Sequence, residues 1–178
     1  MFSRRVRIVV VLACAFLAVR TALQDLWILA ALFLVAAVVF TLGYWRNGPV
    51  WLASRYLRAG RGPKARALLN EVRNPERLVA PQPACYYYLS GMLDLRDQDY
   101  GSAAVNFAHA ARGPWRLPRD SVAMCVNTAE ASLSDGQLDK CASWLERAKS
   151  QPAAHDLANH ISDIESRLAL ERRGIARR

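Results

Sequence analysis

The sequence predicts an all-α chain: an N-terminal transmembrane helical hairpin, then an α-solenoid of about three helix-turn-helix units closed by a capping helix. Three observations lead there. Leu26 to Trp45 holds twenty residues without a charge, eighteen of them apolar, the length of one bilayer crossing. Beyond it, small and large apolar residues recur with a period of 38 residues, and a fixed period of this size marks a repeat architecture. Near the end, Leu157, Ile161, Ile164 and Leu168 are spaced four, three and four, one face of a single helix. A length of 178 residues excludes a large multidomain enzyme, and the mean hydropathy of +0.02 reflects an apolar excess gathered at the front.

Taken in order, the first element is Val6 to Val19, fourteen nearly all apolar residues preceded by Arg4 and Arg5 and holding Arg7 just inside. A cationic start and a short apolar core also describe a cleaved signal segment. The small-x-small site is missing, because Ala18-Val19-Arg20 puts arginine where a small residue is needed. The expectation is a first crossing over about 6–23, a turn at Gln24-Asp25 and a second crossing over 26–45. Tyr44, Trp45 and Trp51 cluster at the far end, where amphipathic rings favour the headgroup level. Arg4, Arg5 and Arg7 precede the hairpin; Arg46, Arg55, Arg58, Arg61, Lys64 and Arg66 follow it before the first acid at Glu71. By the positive-inside rule both ends are cytoplasmic, and the chain is expected to be integral to a membrane, with a bacterial inner membrane as the general architecture suggests.

Residues 46–178 carry 20 of the 24 basic and 14 of the 15 acidic residues, +6 of the total +9. The columns of the repeat are Ala53, Gly91 and Ala129; Leu57, Leu95 and Leu133; Ala65, Ala103 and Cys141; Leu69, Phe107 and Leu145; Val72, Ala110 and Ala148. Each column keeps one size class, as two helices crossing closely at small residues and splaying at large ones require. Gly60-Arg61-Gly62, Asp97-Gln98-Asp99 and Asp135-Gly136-Gln137 are the polar turns, and Pro75, Pro114 and Pro152 stop each second helix. The organisation expected is a membrane anchor over 1–45, repeats over 46–80, 84–117 and 120–152 within 46–153, a capping helix over 154–173 and a basic tail over 174–178.

This pattern resembles the tetratricopeptide repeat family, most clearly in the middle unit through Tyr87, Gly91, Tyr100, Ala103, Phe107 and Ala110. The period of 38 departs from the family's usual 34, and the early aromatic is Pro49 in the first unit and Cys125 in the third. The resemblance implies a right-handed solenoid whose first helices line a concave groove. Its groove-facing residues would be Val50, Ser54, Leu57 and Arg58, then Tyr88, Met92, Leu95 and Arg96, then Val126, Glu130 and Leu133. The lysine and asparagine clamp with which some members hold a terminal carboxylate is not at the matching positions. An apolar groove with aromatic, methionine and arginine members suits a helix or an extended apolar peptide; the other reading is that the chain's own last helix or the membrane face fills it.

No chemistry is expected. Cys14, Cys85, Cys125 and Cys141 lack metal-ligand spacing, His155 and His160 are five apart, and Gly60-Arg61-Gly62-Pro63-Lys64 follows no strand. Hence no catalytic residue, metal or cofactor is expected, and no nucleic acid, since the charge forms no basic stripe interleaved with aromatics. The basic set Arg46, Arg55, Arg58, Arg61, Lys64 and Arg66 either lies against anionic lipid or sets topology alone. The sequence thus points to a membrane-anchored, non-enzymatic adaptor binding a protein or peptide in its groove. The alternative is a small accessory or assembly subunit of a membrane protein complex, integrated through its hairpin.

Overall fold

The structure is a computed structural model; it describes residues 4–176, with side chains over 12–39 and 49–174. The regular structure of the described residues is all helical, with no strand, so the all-α expectation holds and is compatible with an α-solenoid. The chain divides into two compact units, Met1–Gly48 and Pro49–Arg178. In order, the helices are α1 (Arg4–Ala22), α2 (Trp27–Arg58), α3 (Gly62–Asn70), α4 (Gln82–Arg96), α5 (Tyr100–Ala111), α6 (Pro118–Ser134), α7 (Leu138–Lys149) and α8 (Ala158–Ala176), with short 3₁₀ turns at Pro75–Arg77 and Ala154–Leu157.

The first unit corrects the membrane reading. Among the described residues no helix is long and apolar enough to cross a membrane. That overturns the transmembrane hairpin expected over 6–23 and 26–45, and with it the integral placement in a bacterial inner membrane. Charge is the physical reason that α1 shows. The 19 residues of α1 include Arg4, Arg5, Arg7 and Arg20. The side chains of 6–11 and 40–45, on which the rest of both expected spans relied, lie outside the described residues. Within this unit Ala18 is buried, whereas Phe16, Leu23, Trp27, Ile28 and Leu32 are exposed.

In the second unit the 38-residue period reappears in the backbone. Three helices end alike: the amides of Arg61, Asp99 and Gln137 donate to the carbonyls of Tyr56, Asp94 and Ser132 at 2.9, 2.9 and 2.8 Å. Each such end needs one residue in the left-handed region, and Gly60, Gln98 and Gly136 hold it with φ of 73°, 62° and 75°. Glycine takes that conformation at no steric cost; glutamine does not. Gln98→Gly is therefore expected to stabilise the unit by about 0.5–1 kcal/mol, relief of left-handed strain outweighing the extra unfolded-state entropy. Chemical denaturation measures it, and a loss of stability would show that the Gln98 side chain does more than fill the turn.

The columns become the core. Ala53, Ala65, Leu69, Leu89 and Leu93 are buried together, joining α2, α3 and α4, while Ala103, Ala104 and Phe107 with Ala131 join α5 to α6. Gly91 permits a close crossing: a Cβ there would lie 2.8 Å from the Phe107 ring. Between the first two helix pairs, Arg66 donates to Asp94 at 3.0 Å and to Asp97 at 2.8 Å, and the Asn106 amide donates to Asp94 at 2.7 Å. Asp94 is 7% exposed, and these donors are what allow a carboxylate to sit there. At the end of the chain Ile161, Ile164 and Leu168 bury the apolar face of α8 against the last helix pair, since a stack of repeats cannot leave its last hydrophobic face in water.

Candidate binding groove

The second unit carries an apolar groove of about 480 Å³ between the C-terminal part of α2 and α4. From α2, Val50, Trp51, Ser54, Leu57 and Arg58 line one wall; from α4, Gln82, Cys85, Tyr88, Leu89 and Met92 line the other; Trp115 closes one side from the connector. Helical geometry puts these residues there, because positions three and four apart share a face, and two such faces meet where α2 and α4 lie side by side. Tyr88 is held by neighbours, its ring 6.2 Å from Phe107 and 6.4 Å, edge-on, from Trp115. The Trp115 indole in turn donates to the Ala110 carbonyl at 2.8 Å. The groove is thus an apolar trough in which Tyr88 and Trp115 have little freedom left to lose on binding.

The expected groove residues separate into two sets. Val50, Ser54, Leu57, Arg58, Tyr88 and Met92 come together in the groove. The others do not. Arg96 donates from its guanidinium to the Gly60 carbonyl at 3.0 Å and so ties the first turn; Leu95 packs against the Phe107 cluster. Val126 and Leu133 are buried in the core. Glu130 accepts from Arg167 at 3.3 Å and stands 3.4 Å from His160, so α8 engages that side of the third pair. Sequence reasoning missed Trp51, Gln82, Cys85, Leu89 and Trp115. Trp51 and Leu89 share a repeat column and could have been found that way; Trp115 lies in a connector where no helical period speaks.

Of the expected basic set, Arg66 is engaged by Asp94 and Asp97, and the Arg46 side chain lies outside the described residues. Arg58 borders the groove, and the Arg55 guanidinium stands 6.0 Å over the Trp51 ring. Arg61 and Lys64 are exposed.

The titratable groups here are arranged for packing. Burial pushes the Cys85 thiol up, with Asp120 adding to it, and burial likewise raises Cys125 and Cys141; thiols so placed stay protonated and weakly nucleophilic. Among the described residues no group of three or more His, Cys, Asp or Glu side chains could hold a metal ion. Beside the groove wall, Tyr87 stacks on His109 at 4.8 Å and donates its hydroxyl to Glu76 at 2.7 Å. Burial first, then that carboxylate, push its pKa up to about 12. A raised acid pKa means that the protonated form is favoured in the folded state, so this contribution is complete below pH 10 and lost as pH rises towards 12. A tyrosine component ionising at about pH 12 is therefore expected in an ultraviolet absorbance titration, and Tyr87→Phe should remove it.

No family model, curated protein or solved structure matches the chain. The tetratricopeptide resemblance therefore has no support from these comparisons and rests on the repeat columns alone.

Proposed function

We propose that the second unit is a non-enzymatic adaptor of tetratricopeptide-like helix pairs that captures an apolar peptide segment or helix of a partner protein. The observation that carries this reading is the apolar groove between α2 and α4, with its aromatic, methionine and single arginine lining. Rigid aromatic anchors in a concave trough are what concentrate binding energy in a few residues. The test is crosslinking from a photoreactive side chain at position 88 in cells. A discrete protein adduct that disappears with Met92→Ala supports the reading; adducts confined to the chain's own residues reject it.

A second reading follows from the exposed Phe16, Trp27, Ile28 and Leu32 of the first unit. There the N-terminal helices are the contact surface, and the protein is an accessory or assembly subunit of a larger complex. It predicts a partner that copurifies unchanged after the groove is mutated.

A further inference from the structure

We infer that the groove selects amphipathic segments whose apolar residues are flanked by internal Asp or Glu side chains, an inference that rests on the peptide-binding reading. The groove's charge distribution points there. Among its lining residues Arg58 alone is charged, and no acidic residue occurs between Leu26 and Asn70. Among the described residues Arg58 reaches only the Ser54 carbonyl, at 3.5 Å. Arg55 faces the Trp51 ring, and Arg96 is satisfied by the Gly60 carbonyl, not by a carboxylate. Arg61 and Lys64 add to the same end of the unit, exposed and without an ion pair among the described residues. The neighbouring acids Asp94 and Asp97 share the one Arg66 guanidinium, and Asp120 acts on Cys85 of the α4 wall.

On its α2 side the apolar trough is thus bordered by Arg55 and Arg58, neither in an ion pair among the described residues. The cations sit at the lip in water; none is buried inside where it could hold a desolvated carboxylate. Apolar side chains of the ligand therefore enter the trough and supply most of the affinity, while its carboxylates stay at the lip, where they speed association and exclude basic segments. Concavity favours a peptide over a lipid surface, because a trough of about 480 Å³ receives side chains that a flat headgroup plane does not present.

The experiment uses the full-length chain and three synthetic peptides with one apolar core of Leu, Met and Trp at helical spacing, amidated at the C-terminus and flanked by Glu, Gln or Lys. The Glu-flanked peptide is expected to bind about tenfold tighter than the Gln-flanked one at low salt, as a few exposed ion pairs together provide. The gain should lie in the association rate, vanish in high salt and vanish in the Arg55→Gln/Arg58→Gln variant, whose side chains form no ion pair on which the fold depends. Equal binding of all three peptides overturns the inference and leaves the adaptor reading standing. Binding of none rejects the adaptor reading itself. Loss of sedimentation with phosphatidylserine vesicles in the Arg55→Gln/Arg58→Gln variant, with the peptide preference unchanged, assigns these cations to lipid and also overturns the inference.

Discussion

Phe107→Ala is expected to cost about 3–5 kcal/mol of folding stability, a large share of the roughly 5–15 kcal/mol a domain of this kind has. The ring is fully buried, seals the crossing between α4 and α5, and supports Tyr88 from below. Its partner is the absence of a side chain at position 91. A methyl group there would meet the ring at 2.8 Å, so Gly91→Ala alone is expected to cost about 1–3 kcal/mol through overpacking. The two changes are coupled. Trimming the ring as Phe107→Leu opens space toward Gly91, so Gly91→Ala should cost markedly less in that background, with a coupling of about 1 kcal/mol in a double-mutant cycle. Denaturant unfolding of the four proteins measures it. Additive costs would mean that the crossing relaxes by backbone movement and that the close approach at Gly91 is not set by the ring.

The same pair shows why much of the fold could be read from the sequence. A column holding Ala53, Gly91 and Ala129, next to one holding Leu69, Phe107 and Leu145, states in residue sizes where two helices touch. The turns were equally plain, because a helix end with a left-handed residue calls for glycine and two of the three have it. Long-range charge pairing was not legible. Arg66 reads as one of a row of surface cations, yet its partners Asp94 and Asp97 lie on the next helix pair. Glu130 reads as a groove residue, but Arg167 and His160 reach it from α8. Periodicity gives the face a residue occupies and not what the neighbouring element brings to that face.

The first unit shows the limit in the other direction. A run of apolar residues counts the same in a hydropathy sum whichever side chains surround it, so Leu26 to Trp45 predicts a crossing from composition alone. Among the described residues no helix meets the requirement, and α1 carries Arg4, Arg5, Arg7 and Arg20. The groove, by contrast, depends on which residues of two helices share one space. Half of its lining followed from register, and the Trp115 wall followed from nothing local.

The combined variant Tyr88→Ala/Met92→Ala is expected to weaken binding of the apolar peptide by about a hundredfold, as removal of two central anchors does at a well-packed interface. Tyr88 and Met92 are one turn apart on α4 and face Val50, Ser54 and Leu57 across the trough. Both are partly accessible, so truncation removes contact surface from the ligand more than it removes core. Tyr88 does touch Phe107 and Trp115, and some loss of stability accompanies the change. Tyr88→Phe separates the two effects, because it keeps the ring against its neighbours and discards only the hydroxyl, and should retain most of the binding. The decisive comparison is affinity by fluorescence anisotropy beside thermal unfolding of the same proteins. Binding lost with a folded unit places the ligand in the trough. Binding retained at full strength in the double variant would move the contact surface elsewhere, first to the exposed apolar side chains of the N-terminal helices.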